Sequence, residues 1–454
     1  MLFSSLEFIF PFLGSVFLLY FICPVRFRNL ALLISSLIFY ALGEPIYLFL
    51  MLFCAAVAFI LGRLIGKARR FRRGLLCLAV AILLFILAFF KYAYPLSSAL
   101  GIGLPAVALP VGISFYTFQA ISYIIDVYRG TSAEKSPVDL AVYLTMFPQL
   151  IAGPIVKYSD IAVELKRRRE SISAAADGVA LFAVGLAKKA ILADSLGELS
   201  ATLTDRGASV FGLWAGLIFF ALQIYYDFSG YSDMAVGLGR IFGFSFPKNF
   251  DYPYISGSIT EFWRRWHITL SSWFREYLYI PLGGNRRGRW RTYFNLFIVW
   301  ALTGLWHGAA MNFLLWGVYF FIILVLEKAF LLRFLQHLPR LLRTGYALLL
   351  ILFGWFIFST DASLLIPRGA ALWGFSGLSV LSQVDVYDFL RSLPLLFIAC
   401  VGATPLPGRM FDRLSESLPA VSHITRNTLA VLGIFLSCAY LTADAYSPFL
   451  YFRF

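Results

Sequence analysis

Residues 249–312 read NFDYPYISGSITEFWRRWHITLSSWFREYLYIPLGGNRRGRWRTYFNLFIVWALTGLWHGAAMN, and the reading of the fold turns on them. The first half sets Glu261, Arg264, Arg265, His267, Arg275 and Glu276 among Trp263, Trp266 and Trp273, too polar for an ordinary membrane span. The second half is an apolar run that holds His307. The chain has four histidines, and two of them lie in this stretch. An ionisable side chain inside a membrane helix is costly, and by default it marks a functional site.

Outward from this stretch the composition is that of a membrane protein. Of 454 residues, 60% are hydrophobic and 14% charged, and the mean hydropathy is +0.80. A soluble domain carries about 25% charged residues. Apolar runs of roughly 17–25 residues, enough to cross a bilayer, recur throughout. The chain therefore reads as an all-α polytopic protein with membrane lipid as its solvent. No repeat or low-complexity stretch divides it, so residues 1–454 read as one domain.

The net charge of +14 does not point to nucleic acid. The positive charges gather in short loops, such as Lys67 to Arg73 and Lys166 to Arg169, which is the pattern of cytoplasmic loops between spans. Cys23, Cys54, Cys77, Cys400 and Cys438 are scattered, mostly in apolar runs, with no CxxC or Cys/His spacing for a metal. The first Lys or Arg is Arg26 and no small-residue cleavage site precedes it. The N-terminus thus resembles a retained first span that begins outside.

Spans are expected near 6–24, 29–43, 46–66, 74–94, 111–127, 175–196, 209–226, 293–309, 312–332, 345–360, 389–403 and 427–446. The segment 138–156 fits none of them. It has basic residues on both sides and contains Pro148 and Gly153-Pro154, which interrupt helices. A re-entrant or broken segment accommodates both facts.

Three features could carry chemistry. On a helix over 260–279, His267 shares a face with Trp263 and Arg264, four and three residues before it. Such a helix suits an interfacial or re-entrant position, although its Trp and Arg would equally serve as headgroup anchors. The following loop holds Arg286, Arg287, Arg289 and Arg291. Four guanidinium groups could grip the phosphates of a donor such as coenzyme A, or could simply fix the loop in the cytoplasm.

His307 stands about 14 residues along a helix expected to start near Tyr293, roughly 21 Å deep at 1.5 Å per residue. Gly304 and Gly308 flank it and leave room for backbone or ligand. At that depth it is either a packed core residue or a general base that takes the proton of a hydroxyl attacking a thioester. Asp227 or Asp233 could orient a histidine or serve as a structural contact. His337 and His423 fall in expected cytoplasmic loops and receive no chemistry.

Five motifs carry a resemblance. Phe147 to Ile155 reads FPQLIAGPI, Tyr226 to Asp233 reads YDFSGYSD, and Asn249 to Tyr254 reads NFDYPY; Phe262 to His267 reads FWRRWH and Gly304 to Gly308 reads GLWHG. Together and in this order they resemble the membrane-bound O-acyltransferase superfamily, nearest to its bacterial alginate O-acetyltransferase branch. The resemblance implies a funnel-shaped bundle of about eleven to twelve spans plus re-entrant helices. It makes His307 the catalytic histidine and His267 the second motif histidine. Arg264, Arg265, Trp263, Trp266, Trp306, Asp227, Arg286 and Arg287 become the donor- or substrate-binding set.

Members of that branch pass an acyl group from a cytoplasmic donor toward periplasmic polysaccharide, with a separate periplasmic transferase finishing the transfer. The resemblance therefore implies a bacterial inner-membrane enzyme, acetyl-CoA as donor, a polysaccharide acceptor and a periplasmic acetyltransferase partner. It implies no metal and no bound cofactor. One departure is Tyr319-Phe320, where many relatives carry His-Gly after the Trp-Gly that here is Trp316-Gly317.

Two rival readings stay in view. The same machinery would pass an acyl or D-alanyl group from a carrier protein to teichoic acid or peptidoglycan. Many spans and broken helices also describe a transporter or polysaccharide exporter, although no internal duplication is visible and the ionisable residues concentrate in one stretch.

Overall fold

The structure, a computed structural model, describes residues 3–443 apart from 104, 106 and 152. Ala152 of the FPQLIAGPI motif, two positions of the expected outer loop 95–110 and the end of the expected 427–446 span lie outside the described residues.

The described chain is helical from end to end, broken by turns and joined across loops by one isolated bridge between Ser209 and Ser379. Seven described helices are long and apolar enough to cross a membrane: Val25–Gly43, Tyr47–Lys67, Arg72–Ala99, Val210–Ile241, Met311–Leu335, Arg340–Ser359 and Pro419–Ala443. An eighth span counts if Leu393–Gly402 and Leu406–Ser417, bent by 63°, act as one. This is fewer than the apolar runs suggest. Several expected spans are shorter helices, such as the 17-residue Ile113–Arg129, or are interrupted by π-helical turns, as at Lys188–Ala193.

Chain contacts gather into two compact units, residues 1–182 with 231–248 and residues 183–230 with 249–454. The first is built on aromatic packing. Phe3, Phe8, Phe39 and Phe147 are all buried, with ring centroids 4.4 Å apart for Phe3 and Phe8 and 5.9 Å for Phe39 and Phe147. Buried Glu134 accepts the Tyr158 hydroxyl at 2.6 Å and pairs with Lys166 at 3.1 Å. Arg168 donates to the Tyr20 hydroxyl at 2.8 Å. The basic cluster after residue 165 is thus tied into the fold as well as marking a side of the membrane.

The 138–156 segment is indeed broken. Pro137–Thr145 ends at Met146, whose ψ of 115° leaves the helical region, and the short Phe147–Leu150 helix follows. Pro148 sits in its first turn, where a missing N–H costs nothing.

In the second unit, Val210–Leu222 continues without a break through Tyr225 to Gly230, so the Tyr-Asp-Phe-Ser-Gly motif lies inside a long helix, not after one. Two other helices of this unit meet backbone to backbone. A Cβ on Gly304 would run into the carbonyl of Phe313, and one on Gly317 into the carbonyl of Trp300. Arg289–His307 and Met311–Leu326 therefore form a close antiparallel pair, as small residues allow in membranes. The room expected beside Gly304 and Gly308 is taken by Phe313 itself. The helix also starts at Arg289, four residues before the expected point, and it ends on His307, ahead of the expected end at 309.

Candidate active site

The helix expected over 260–279 is not continuous. Ile259–Arg265 stops, Ile268–Phe274 starts again, and His267 between them adopts φ 44° and ψ 54°. This left-handed conformation is uncommon for a residue with a Cβ. Asn249 holds it. Its side-chain Oδ1 lies 3.2 Å from His267 Nδ1 and accepts from the Thr269 hydroxyl at 2.9 Å. Its carbonyl accepts from the Ile268 N–H at 2.9 Å.

Because Oδ1 only accepts, the network assigns the ring proton to Nδ1 and leaves a lone pair on Nε2. That Nε2 is buried with no hydrogen-bond partner among the described residues. The Phe228 ring packs edge-on at 4.7 Å. Burial pushes the His267 imidazole down to about 3, so the ring is neutral in the fold at ordinary pH.

His307 ends its helix, half-buried, with rings on several sides. Trp306, Trp316 and Phe358 have centroids 5.0, 5.1 and 5.3 Å away. A cavity of about 310 Å³ is lined by both His267 and His307. Trp263, Trp266, Arg264 and Asp227 also contribute to its wall. The break at His267 does not separate these residues, since Trp263 and Arg264 close one side of the cavity and Leu270 and Phe274 continue it.

Other expected residues stand elsewhere. Arg265 does not line the cavity; it pairs with Glu261 at 3.0 Å and Asp251 at 3.1 Å. Trp306 supports both histidines from behind, 5.0 Å from His307 and 6.2 Å from His267. Arg286 and Arg287 are exposed in a loop away from the cavity wall. That loop is held by Asn295, whose amide donates to the Gly284 carbonyl at 2.9 Å. Asp227 pairs with buried Lys189 at 2.8 Å, and the same ammonium meets Asp194 at 2.6 Å. Asp233 is not part of the wall.

Sequence reasoning missed several wall residues. Arg275 and Tyr279 line the cavity, together with Trp300, Trp316, Trp355 and Phe358. Arg264 and Arg275 are both exposed, and neither makes a hydrogen bond or ion pair among the described residues. They contrast with the buried Trp316 and Trp355: charge lies at the exposed rim and aromatic surface within. A reader of the sequence could have found Arg275 as the next cation in the same polar stretch.

Glu327 was also unforeseen. It is fully buried and accepts from the Ile259 and Thr260 N–H groups at 2.7 Å each, and from the Thr260 hydroxyl at 2.6 Å. A carboxylate at the start of Ile259–Arg265 satisfies orphan N–H groups and suits the positive end of the helix. It fixes the segment that carries Trp263 and Arg264.

The family model described as MBOAT, membrane-bound O-acyltransferase family, matches residues 132–360. Over the full length of both chains, this one is 38% identical to the protein named "Probable alginate O-acetylase AlgI" in Azotobacter vinelandii. It is 31% identical to the peptidoglycan O-acetyltransferase of Helicobacter pylori, over 100% of this chain and 98% of the other. To the teichoic acid D-alanyltransferase of Bacillus subtilis it is 27% identical, over 46% of this chain and 56% of that one.

Proposed function

That this chain belongs to the membrane-bound O-acyltransferase family is the premise from which we propose its reaction: transfer of acetyl from a cytoplasmic thioester, acetyl-CoA, toward hydroxyls of an exported or cell-surface polysaccharide. The chain is a multi-pass membrane O-acyltransferase; the donor, the acceptor, a bacterial inner-membrane location and a periplasmic transferase partner belong to the proposal. The observation that carries it is the single cavity with His267 and His307 in its wall and two unpaired arginines at its rim.

In this reading Arg264 and Arg275 meet the donor's phosphates, for which guanidinium is well matched. The thioester arm passes along the aromatic wall of Trp263 and Trp300 toward His307. The acceptor hydroxyl oxygen then attacks the thioester carbonyl carbon while His307 takes the hydroxyl proton. The carbon–sulfur bond breaks, and the departing thiolate receives a proton to leave as free thiol. His307 would serve the same cavity as acyl carrier if acetyl rests on it first. The C-terminal carbonyls of its helix favour the positive charge that forms on the ring.

His267 suits a different task. A ring neutral down to about pH 3 is a weak base, since general bases work best near the operating pH. Its lone pair can instead accept a hydrogen bond from a substrate hydroxyl and orient it.

The test is purified His307→Ala with acetyl on the cell's polysaccharide as readout. Loss of the base lowers transfer about 10²–10⁴-fold. Undiminished acetylation at normal protein level would sink the assignment. Peptidoglycan as acceptor is the second reading, favoured by the full-length likeness to the Helicobacter enzyme; acetyl found on the glycan strands of the cell wall, not on exported polysaccharide, would select it.

A further inference from the structure

The second unit contains another cavity, of about 340 Å³, that the proposed reaction does not use. Its polar end lies where helices end. Asp205 stands one residue before the end of Asp194–Arg206, and Thr360 directly follows Arg340–Ser359. Arg340 and Arg343 mark the opposite end of that helix as cytoplasmic, so this mouth lies at the other face of the membrane. Side chains on Gly197 and Gly216 would collide with the Gln223 amide and the Thr204 hydroxyl. Asp194–Arg206 and Val210–Ile241 therefore meet in a close seam, and both polar side chains line the cavity beside it.

Leu365–Leu372 shows what surrounds the mouth. Ile366 is 84% exposed, and Trp373, just past the end of this helix, is 60% exposed. Seven residues apart, they share a face. Tryptophan and apolar side chains exposed at the end of a span mark headgroup depth. Arg368 and Leu372, four residues apart on the opposite face, line the cavity. The Trp214 indole N–H ties the helix down through the Leu372 carbonyl at 2.9 Å. The helix thus lies at the membrane surface with its apolar side to lipid and its arginine turned inward.

The polar groups at this mouth are unspent. Thr204, Asp205, Gln223, Thr360 and Arg368 line the cavity, and none of their side chains makes a hydrogen bond or ion pair among the described residues. Thr360 is 3% exposed and Arg368 is half-buried. Arg206, next to Asp205, is by contrast tied to Asp385 at 3.0 Å and Asp388 at 2.8 Å. A half-buried guanidinium without a protein partner calls for an anion. Asp205 at the same mouth calls for a cation. Deeper in, Leu217, Phe220 and Phe356 give an apolar wall. Charge of both signs at headgroup depth, above an apolar wall, is the layout of a zwitterionic phospholipid.

We propose that this cavity binds one ethanolamine phospholipid of the leaflet opposite the cytoplasmic one. Its phosphate lies on Arg368 and the two threonine hydroxyls, its ammonium on Asp205, and an acyl chain runs along Leu217 and Phe220. Gln223 comes seven residues after the Gly216 that faces Thr204, about 10 Å deeper at 1.5 Å per residue. There its amide donates to a glycerol ester carbonyl. A choline headgroup fits less well, because a quaternary ammonium has no N–H to give Asp205. The site needs neither the acyl donor nor His307, so it stands apart from the proposed reaction.

To test this, the full-length protein in detergent is titrated with dioleoyl phosphatidylethanolamine, and retained lipid is counted by native mass spectrometry. Wild type should hold one molecule about tenfold more tightly than dioleoyl phosphatidylcholine, the size of one charged hydrogen bond. Arg368→Ala should weaken the ethanolamine lipid by about the same factor. Asp205→Asn should bring the ethanolamine lipid down to the affinity of the choline lipid and no further, which a misfolded variant would not do. Unchanged ethanolamine-lipid binding in either variant overturns the proposal, as does a wild type without preference between the two lipids. Tighter binding of phosphatidylglycerol than of phosphatidylethanolamine assigns the cavity to an anionic lipid. Displacement by inorganic phosphate at equal concentration assigns it to a free anion. Either result overturns the proposal as well.

Discussion

His267 and His307 line one cavity from two kinds of backbone. His267 is 2% exposed, pinned in a left-handed turn, with Nδ1 committed to Asn249. His307 is half-buried at the end of a helix, where main-chain carbonyls point toward it. The side chains are the same and the settings are opposite. A deeply buried, neutral imidazole offers a fixed lone pair. An imidazole at a helix C-terminus can accept a proton and be stabilised while holding it. On the proposed reading, backbone context is what suits His307 to act as base and His267 as anchor.

The comparison can be broken at several points. The largest expected effect separates the two rings: His307→Gln should cut acetyl transfer about 10²–10⁴-fold, while His267→Gln, which keeps an acceptor atom at that turn, should lose clearly less. Equal losses in single-turnover assays would erase the distinction. Next comes the brace. Asn249→Ala strands the His267 turn and should cost about 1–3 kcal/mol of stability, read as a lowered thermal midpoint in detergent.

At the rim, Arg264→Ala combined with Arg275→Ala should raise the donor KM about tenfold, with less difference between variant and wild type in high salt, where charge is screened.

The pH dependence follows from His267. In the fold its imidazole titrates near 3, against 6.5 for a free histidine. Between those values the unfolded chain binds the proton and the folded chain does not. Stability contributed by the neutral ring is therefore present above pH 6.5 and falls as pH drops toward 3. The slope should flatten in His267→Gln when unfolding is measured across that range. The smallest effect belongs to the loop: Arg286→Ala with Arg287→Ala should change donor KM by no more than about twofold, as for exposed charges in general.

Much of this site was legible in the sequence, for identifiable reasons. That His307 stands on a helix was legible, but its place there was not, since the helix starts at Arg289 instead of near Tyr293 and ends on His307 itself. The pairing of His267 with Trp263 and Arg264 on one wall survived the break between them, because both short helices face the same cavity. The break itself was not legible, since it depends on Asn249, 18 residues earlier, which no periodicity connects to His267. For the same reason Trp355 and Phe358 were missed: they reach the cavity from a helix that looks like any other span.

Arg264 and Arg265 show the limit of reading by type. Adjacent and alike in sequence, one faces the cavity and the other is consumed by Glu261 and Asp251. The basic loop at Arg286 and Arg287 was easy to notice because its charges are dense, yet density says nothing about where a loop points. Counting apolar runs gives more spans than the seven described helices that are each long and apolar enough to cross, because several runs fold as shorter helices or pass through π-helical turns.

Glu327 adds a consequence for how the protein is made. The N–H groups of Ile259 and Thr260 find their acceptor 68 and 67 residues further along the chain. At a synthesis rate of about 5–20 residues per second, that acceptor emerges several seconds after the segment it caps. Until then the Ile259–Arg265 turn lacks its cap, and the wall that carries Trp263 and Arg264 cannot close. Ribosome-bound chains truncated before residue 327 should therefore expose residues 259–274 to protease, and chains extended past it should protect them.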